Sequence, residues 1–163
     1  MDVLVALAIS IGVLIAGWTY VASPDVAGLP VWAGIVAWGC FFAAGGKTTG
    51  LSKTIASNLS GVFWAFLLLQ ALPRFGGSTA ALSLLVGLAA FFMVLQAKVS
   101  ILSFIPGAFL GAATAVSVVS RTGADAFANP WMKTVIALVI GALLGYLSEM
   151  LAGAIGGRKR ATA

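Results

Sequence analysis

Residues 3–22 read VLVALAISIGVLIAGWTYVA, a run without a single charged side chain. A helix needs about 20 mostly apolar residues to cross a hydrocarbon core about 30 Å thick. The run is too long for the apolar region of a signal peptide, and the only charge before it is Asp2 rather than a basic cluster. It therefore predicts a first transmembrane helix that is retained in the mature protein.

The rest of the chain has the same character. Apolar residues make up 61% of the 163 residues and charged residues 8%, against about 45–50% and about 25% in soluble domains. So few charges cannot cover the surface of a soluble fold, whereas lipid tails accept apolar surface. The sequence predicts one all-α domain over residues 1–163, a polytopic membrane bundle of about six helices with short loops. The expected helices cover residues 3–22, 30–46, 52–72, 78–97, 99–120 and 131–153, followed by a basic tail at 154–163.

The basic residues predict the orientation of this bundle. Lys and Arg accumulate on the cytoplasmic side of a membrane. The side that holds both termini carries six of them, namely Lys47, Lys53, Lys98, Arg158, Lys159 and Arg160, against Arg74, Arg121 and Lys133 opposite. We therefore expect a multi-pass membrane protein with both termini in the cytoplasm. The net charge of +5 follows from these topology signals and indicates no nucleic-acid partner.

A candidate internal repeat relates two pairs of helices. The residues Phe41–Lys47 followed by Leu51-Ser52 resemble Phe92–Lys98 followed by Leu102-Ser103. The pattern suggests that the second and third helices duplicate the fourth and fifth in the same orientation, unlike the inverted repeats common in transporters. The second helix is the shortest, and it or the fifth could instead be re-entrant.

Residues for soluble-enzyme chemistry are scarce. The chain has no His, a lone Cys40 and four dispersed acidic residues. These residues do not assemble a nucleophile–base pair, a metal-ligand cluster or a phosphate-binding loop. We therefore expect no catalytic site, no metal and no cofactor.

The third predicted helix begins with the most polar stretch of any span. Ser57, Asn58 and Ser60 fall inside it, with Asn58 about 9 Å from the predicted start. A polar group at that depth should face the bundle or an aqueous cavity. Two interpretations stay open, an interhelical hydrogen bond or the lining of a solute pathway.

The fifth predicted helix contains Ser103, Pro106 and Gly107. Pro106 removes one backbone hydrogen bond and disfavours helical geometry at the preceding residue. Broken helices at substrate sites have this pattern, and so do ordinary kinks. On the pathway interpretation, these three residues and the polar groups of the third helix enclose the route.

Two further features concern helix packing. Small residues at four-residue spacing allow helices to approach closely, and they predict crossings at Gly61, Gly111, Gly141 and Gly145. Lys53 and Glu149 share a depth near the cytoplasmic side and have opposite charge, which predicts an ion pair. Alternatively, Glu149 is a proton or cation site.

Several runs resemble the domain-of-unknown-function 1097 (DUF1097) family. They are Gln96-Ala97-Lys98, Leu102–Gly107, Phe109–Ala112, Leu59–Ala65 and Trp32-Ala33-Gly34. The resemblance extends over nearly the whole chain and is densest between the second and fifth helices. It implies a small polytopic protein of the bacterial inner membrane and brings no activity with it.

The function expected from this architecture is carried out within the bilayer, because most connections are too short to form an extramembrane domain. We expect a channel or homo-oligomeric transporter for a small neutral or weakly charged solute, and urea-like, amide-like or short-acid solutes fit its lining equally. The alternative is a non-transporting scaffold or assembly subunit whose small-residue faces bind other helices. The two differ in whether the polar atoms of the third and fifth helices meet in a cavity or pair off in closed hydrogen bonds.

Overall fold

A computed structural model describes residues 2–122 and 128–156 of the chain. The predicted all-α membrane fold is confirmed, since the described residues form six α-helices and no strand. These are α1 (Val3–Ala22), α2 (Val31–Ala43), α3 (Lys47–Ala71), α4 (Thr79–Leu95), α5 (Ile105–Thr122) and α6 (Ala128–Ile155), with short 3-10 turns at Leu72–Phe75, Gln96–Lys98 and Ser100–Leu102. The basic residues expected in the tail, Arg158, Lys159 and Arg160, lie outside the described residues.

Within the described residues, four helical stretches are long and apolar enough to cross a bilayer, namely Val3–Ala22, Lys47–Phe75, Thr79–Lys98 and Pro130–Ile155. The helices α2 and α5 are apolar but shorter. With 13 residues, α2 extends for only about 20 Å. Side-chain caps mark the first residues of α1 and α4. Asp2 accepts a hydrogen bond from the Leu4 N–H, and Ser78 accepts one from the Ala81 N–H.

The turn between α2 and α3 corrects two predicted boundaries. Gly45 and Gly46 have φ angles of 97° and 65°, a region that glycine adopts without steric cost. They end α2 at Ala43 rather than at residue 46, and α3 begins at Lys47 rather than at Ser52. Asn58 consequently lies about 16 Å from the start of α3, near the middle of this 25-residue helix, rather than about 9 Å.

The start of α5 is a second correction. The helix begins at Ile105 rather than at residue 99, after the 3-10 turn Ser100–Leu102. Pro106 therefore lies in the first helical turn, where its missing N–H leaves no intrahelical hydrogen bond unmade. The expected break or kink inside the fifth helix does not form, because the proline lies in the first turn of the helix.

Contacts along the helices give their relative directions. Glu149 near the end of α6 contacts Lys47 at the start of α3, and Phe66 contacts Trp131 at the other end with ring centroids 5.3 Å apart. The two helices are therefore antiparallel. The start of α1 lies against Gly156, the last described residue after α6, so the first and last helices meet at one end of the bundle.

The helix contacts follow a three-plus-three arrangement. The most extensive contacts join α3 with α5 and α2 with α6, and α1 lies on α6 as α4 lies on α3. Several residues of α3 recur 80 positions later in α6, namely Lys53 and Lys133, Thr54 and Thr134, Gly61 and Gly141, and Leu67 and Leu147. Because α3 and α6 are antiparallel, α1–α3 and α4–α6 have the contact pattern of an inverted repeat. It is a different relation from the same-orientation two-helix repeat expected from the sequence.

Glycines lie at the crossings of the two most extensive helix pairs. A Cβ at Gly61 would overlap the carbonyl oxygen of Ala108, and one at Gly111 would overlap that of Asn58, so α3 and α5 touch backbone to backbone. The pair α2 and α6 crosses in the same way at Gly141, and Gly145 lies against the Phe41 ring. Only glycine permits such close approach.

Candidate functional site

Three polar side chains share one face of α3. Thr54, Ser57 and Asn58 are spaced by three and four residues, which places them together on a helix surface. Their exposed fractions are 0%, 0% and 1%. We call these three residues the α3 cluster, and two of them, Ser57 and Asn58, were predicted as pathway residues from the sequence.

The side chains of the α3 cluster form no geometrically complete hydrogen bond, although the Cys40 thiol lies beside Asn58. The atoms Thr54 Oγ1, Ser57 Oγ, Asn58 Oδ1 and Asn58 Nδ2 are buried and unpaired, and every such atom within residues 2–121 and 130–156 belongs to this cluster. A buried polar group left unpaired costs about 1–3 kcal/mol. The cluster is therefore the most unfavourable polar feature in the described part of the molecule.

Other buried or half-buried hydroxyls in the bundle donate hydrogen bonds within their own helix. A Ser or Thr within a helix can donate to a backbone carbonyl one turn earlier. Ser60 does so to Ser57 O at 2.8 Å, Thr134 to Pro130 O at 2.7 Å and Ser148 to Gly145 O at 2.7 Å. Because Thr54 and Ser57 do not, their hydroxyls remain available to another partner.

Helices α2 and α5 enclose the α3 cluster. On α5, a Cβ added at Gly107 would come within 3.0 Å of the Ser57 Cβ, and Gly111 lies on the Asn58 backbone. On α2, the Cys40 thiol lies against the Asn58 side chain, within reach of its amide. The predicted residues Ser57, Asn58 and Gly107 are thus brought together at the boundary between the two three-helix halves.

The second half of the chain offers an internal comparison. The residues 80 positions after the α3 cluster are Thr134, Ala137 and Leu138. Thr134 is paired, whereas Ala137 and Leu138 are 0% and 1% exposed within apolar core clusters. The same helix position can therefore be filled by apolar side chains, and packing alone does not explain the polarity of Ser57 and Asn58.

Ser60 belongs to a closed hydrogen-bond network instead. Its hydroxyl accepts from Gln96 Nε2 at 2.7 Å, and Gln96 Oε1 accepts from Trp64 Nε1 at 2.9 Å. The Trp64 ring stacks on Phe92 with centroids 5.2 Å apart. This network ties α3 to the end of α4, so Ser60 has a structural partner that the α3 cluster lacks.

A second closed network joins α1, α2 and α6. Ser10 donates to Ser148 O at 2.9 Å, and Trp38 Nε1 donates to Ser148 Oγ at 3.2 Å. Sequence reasoning did not single out Thr54, Gln96 or this network. Thr54 could have been found from its spacing, since it is one turn before Ser57 and Asn58 on the same face.

Two predicted pathway residues lie away from the helix crossing. Ser103 is half-buried in the segment that precedes α5, and Pro106 is exposed in the first turn. We expected both residues inside the fifth helix, but Ser103 lies before α5 and Pro106 lies in its first turn.

Glu149 has a different partner from the one predicted. Its carboxylate accepts from the Lys47 backbone N–H at 2.7 Å, and it lies so close to Gly46 that an added Cβ there would come within 2.9 Å of Oε1. Within the described residues Lys53 forms no ion pair, so the expected Lys53–Glu149 contact does not form. The reason is the earlier start of α3, which brings an N-terminus with free N–H groups and a positive dipole to Glu149.

The outer surface carries apolar grooves between helices. One lies between α3 and α6 and is lined by Leu59, Val62, Phe63, Phe66, Trp131, Met132 and Val135. Another lies between α3, α4 and α5. Large apolar side chains remain exposed along all six helices, as expected for a surface that contacts lipid tails.

Comparison with known proteins gives relatives over most of the chain. The profile of the family described as "Protein of unknown function (DUF1097)" matches residues 8–153. The "Inner membrane protein YcdZ" of Escherichia coli K12 is 33% identical, with 90% of this chain and 83% of the relative aligned. Its namesake from Salmonella typhimurium is 32% identical over 90% and 85% of the two chains. The "Uncharacterized protein YahC" of E. coli K12 is 30% identical over 91% and 90%. No solved structure matches the chain.

Proposed function

The chain belongs to the DUF1097 family and is an integral protein of the bacterial inner membrane, and from this premise we propose that it transports a small polar solute across the bilayer. The α3 cluster is the binding element of this proposal. The single observation that carries it is the set of four unpaired polar atoms halfway along a membrane-spanning helix.

The free energy of these atoms supports a solute rather than a purely structural role. Inside a bilayer no bulk water reaches an unpaired hydroxyl or amide, so the full desolvation cost remains. A polar solute bound against Ser57 and Asn58, once α3 and α5 separate, would supply the missing hydrogen bonds. The binding free energy of that solute would offset the cost of keeping the site polar while it is empty.

The place of the cluster in the fold also supports transport. Its residues lie on α3 in the first half, and Gly107 and Gly111 lie on α5 in the second half. In carriers built from inverted repeats, substrates bind near the midplane at the interface between the repeats, and one repeat moves against the other. The α3–α5 boundary is such an interface.

Orientation and assembly form part of the same proposal. We expect both termini in the cytoplasm and assembly as a homo-oligomer. Labelling of Asp2→Cys and Asp25→Cys variants in intact cells should modify only the second position with a membrane-impermeant thiol reagent. Cross-linking in native membranes should give discrete multiples of the 16.5 kDa chain.

A swelling assay on proteoliposomes tests the transport proposal. Vesicles containing the wild type should admit at least one solute from a panel of urea, acetamide, glycerol and acetate faster than protein-free vesicles. Asn58→Leu should abolish the difference, whereas Gln96→Leu should preserve it, because Gln96 belongs to the closed network with Ser60 and Trp64. Correctly inserted protein that leaves vesicles tight to the whole panel would contradict the proposal.

The alternative function is a scaffold or assembly subunit that transports nothing. The closed Ser60–Gln96–Trp64 and Ser10–Ser148–Trp38 networks favour it, because they fix helices rather than line a path. Tight vesicles together with a discrete complex containing another membrane protein would support this alternative.

A further inference from the structure

We infer that the α3 cluster binds a small neutral amide, such as urea or a short primary carboxamide. This inference rests on the proposed transport function and names the solute class of the same site. The evidence for it is the chemical character of the four unpaired side-chain atoms in the cluster.

The cluster carries no formal charge. Its three side chains are two alcohols and one amide, and Glu149 is engaged at the first residue of α3, about 10 Å before Thr54 along the helix. Lys53 precedes Thr54 but lies about 100° away around the helix, since successive residues are rotated by that angle. An ion bound here would lose its hydration without gaining a counter-charge, so a neutral solute fits better.

The unpaired atoms are both donors and acceptors. Asn58 leaves Oδ1 and Nδ2 without a complete hydrogen bond, with the weakly polar Cys40 thiol beside them, and each hydroxyl can donate and accept. A primary amide presents the matching edge, a carbonyl oxygen beside an N–H, and forms two hydrogen bonds with Asn58 at once. The hydroxyls of Thr54 and Ser57 can satisfy the remaining atoms of the solute. An alcohol such as glycerol lacks the paired edge and leaves part of the Asn58 amide unpaired.

The surroundings limit the size of the solute. A Cβ at Gly107 would come within 3.0 Å of Ser57 and closer to the Phe104 ring, and Gly111 touches the Asn58 backbone. The helices α3 and α5 are therefore in contact beside the cluster, and a solute bound there requires them to separate. Urea and acetamide, with four heavy atoms each, require less separation than larger amides.

The test measures uptake of urea, acetamide and glycerol by proteoliposomes of wild type, Asn58→Leu and Asn58→Asp. Asn58→Leu copies the side chain found at Leu138, where the fold accommodates it buried. Asn58→Asp keeps the shape but replaces the amide donors. We expect amides to permeate about tenfold or more faster than glycerol through the wild type, the effect of one unmade hydrogen bond. Both variants should lose this preference.

A second readout separates failure of the inference from failure of the transport proposal. In detergent, acetamide should raise the Tm of the wild type more than glycerol at equal concentration, and Asn58→Leu should remove the difference. Equal permeation of glycerol and amides through the wild type would overturn the inference and leave transport standing. Tight vesicles with an Asn58-dependent Tm shift would overturn transport and leave amide binding standing. If the wild type shows neither a selective flux of amides nor a selective Tm shift, the inference is overturned.

Discussion

At the scale of single residues, Thr54 and Thr134 are a matched pair with opposite hydrogen-bonding states. Both are fully buried and lie 80 positions apart on related helices, but only Thr134 Oγ1 has a partner, Pro130 O at 2.7 Å. The structure accounts for one hydroxyl by an intrahelical bond and leaves the other open. Comparing the same substitution at both positions therefore separates the effect of the unpaired hydroxyl from the general effect of replacing a buried threonine.

Replacing each threonine by valine should have opposite effects on the free energy of unfolding. Thr54→Val removes an unpaired buried hydroxyl and should stabilise the protein by about 1 kcal/mol or more, whereas Thr134→Val loses a hydrogen bond and should destabilise it by about 0.5–1.5 kcal/mol. Solute uptake should fall only in Thr54→Val. Thermal unfolding in detergent and vesicle swelling measure both. If Thr54→Val proved as destabilising as Thr134→Val, its hydroxyl would have a partner that the structure does not show.

At the scale of helices, the α3–α5 crossing depends on backbone contact at Gly61. The helices cannot keep this distance once a side chain is added, because its Cβ would overlap Ala108. A Cβ added at Gly87 on α4 would have no neighbouring atom within 4 Å. Gly87 therefore provides the control for the intrinsic effect of replacing glycine by alanine.

Gly61→Ala should destabilise the bundle by about 1–3 kcal/mol, the usual cost of overpacking. Gly87→Ala should be neutral or stabilise α4 by up to about 1 kcal/mol, because alanine is the better helix former. Unfolding of the two variants in the same detergent makes the comparison. Equal stability of the two variants would mean that α3 and α5 are not in backbone contact.

Sequence reasoning predicted the helices better than their ends. Apolar runs of bilayer length identify spans because hydrocarbon thickness sets them, and so the six helices were found. The starts of α3 and α5 were missed because positive φ at Gly45 and Gly46 and a 3-10 turn before Ile105 are local backbone features without a hydropathy signal. These shifts changed the partner of Glu149 and the role of Pro106.

Part of the candidate site was also predictable from hydropathy. A polar residue inside a span stands out against apolar neighbours, and this signal found Ser57, Asn58 and Ser60. The same signal could not show which of these side chains has a hydrogen-bond partner, because that depends on the neighbouring helix that each one faces. Ser60 meets Gln96 from α4, whereas Ser57 meets the bare backbone of Gly107. Gln96 itself lies at the end of α4, where polar residues are common and give no sequence signal of a buried hydrogen bond.

At the scale of the whole molecule, the two halves share one architecture and differ in polarity at one place. The inverted relation of α1–α3 to α4–α6 would bury Ser57 and Asn58 where the other half buries Ala137 and Leu138. A purely structural bundle gains nothing from that difference and is less stable for it. A transport protein gains a site at the interface between its moving parts, at a cost in stability.

The most direct test is the acetamide permeability of vesicles that contain the double variant Ser57→Ala/Asn58→Leu, which copies the second half into the first. Wild type and Thr134→Val in matched vesicles are the references. The account predicts that permeability falls to the protein-free value in the double variant, although this variant unfolds at a higher temperature than the wild type, and stays unchanged in Thr134→Val. A double variant that passes acetamide as fast as the wild type would contradict the account, because the α3 cluster would then not be on the path.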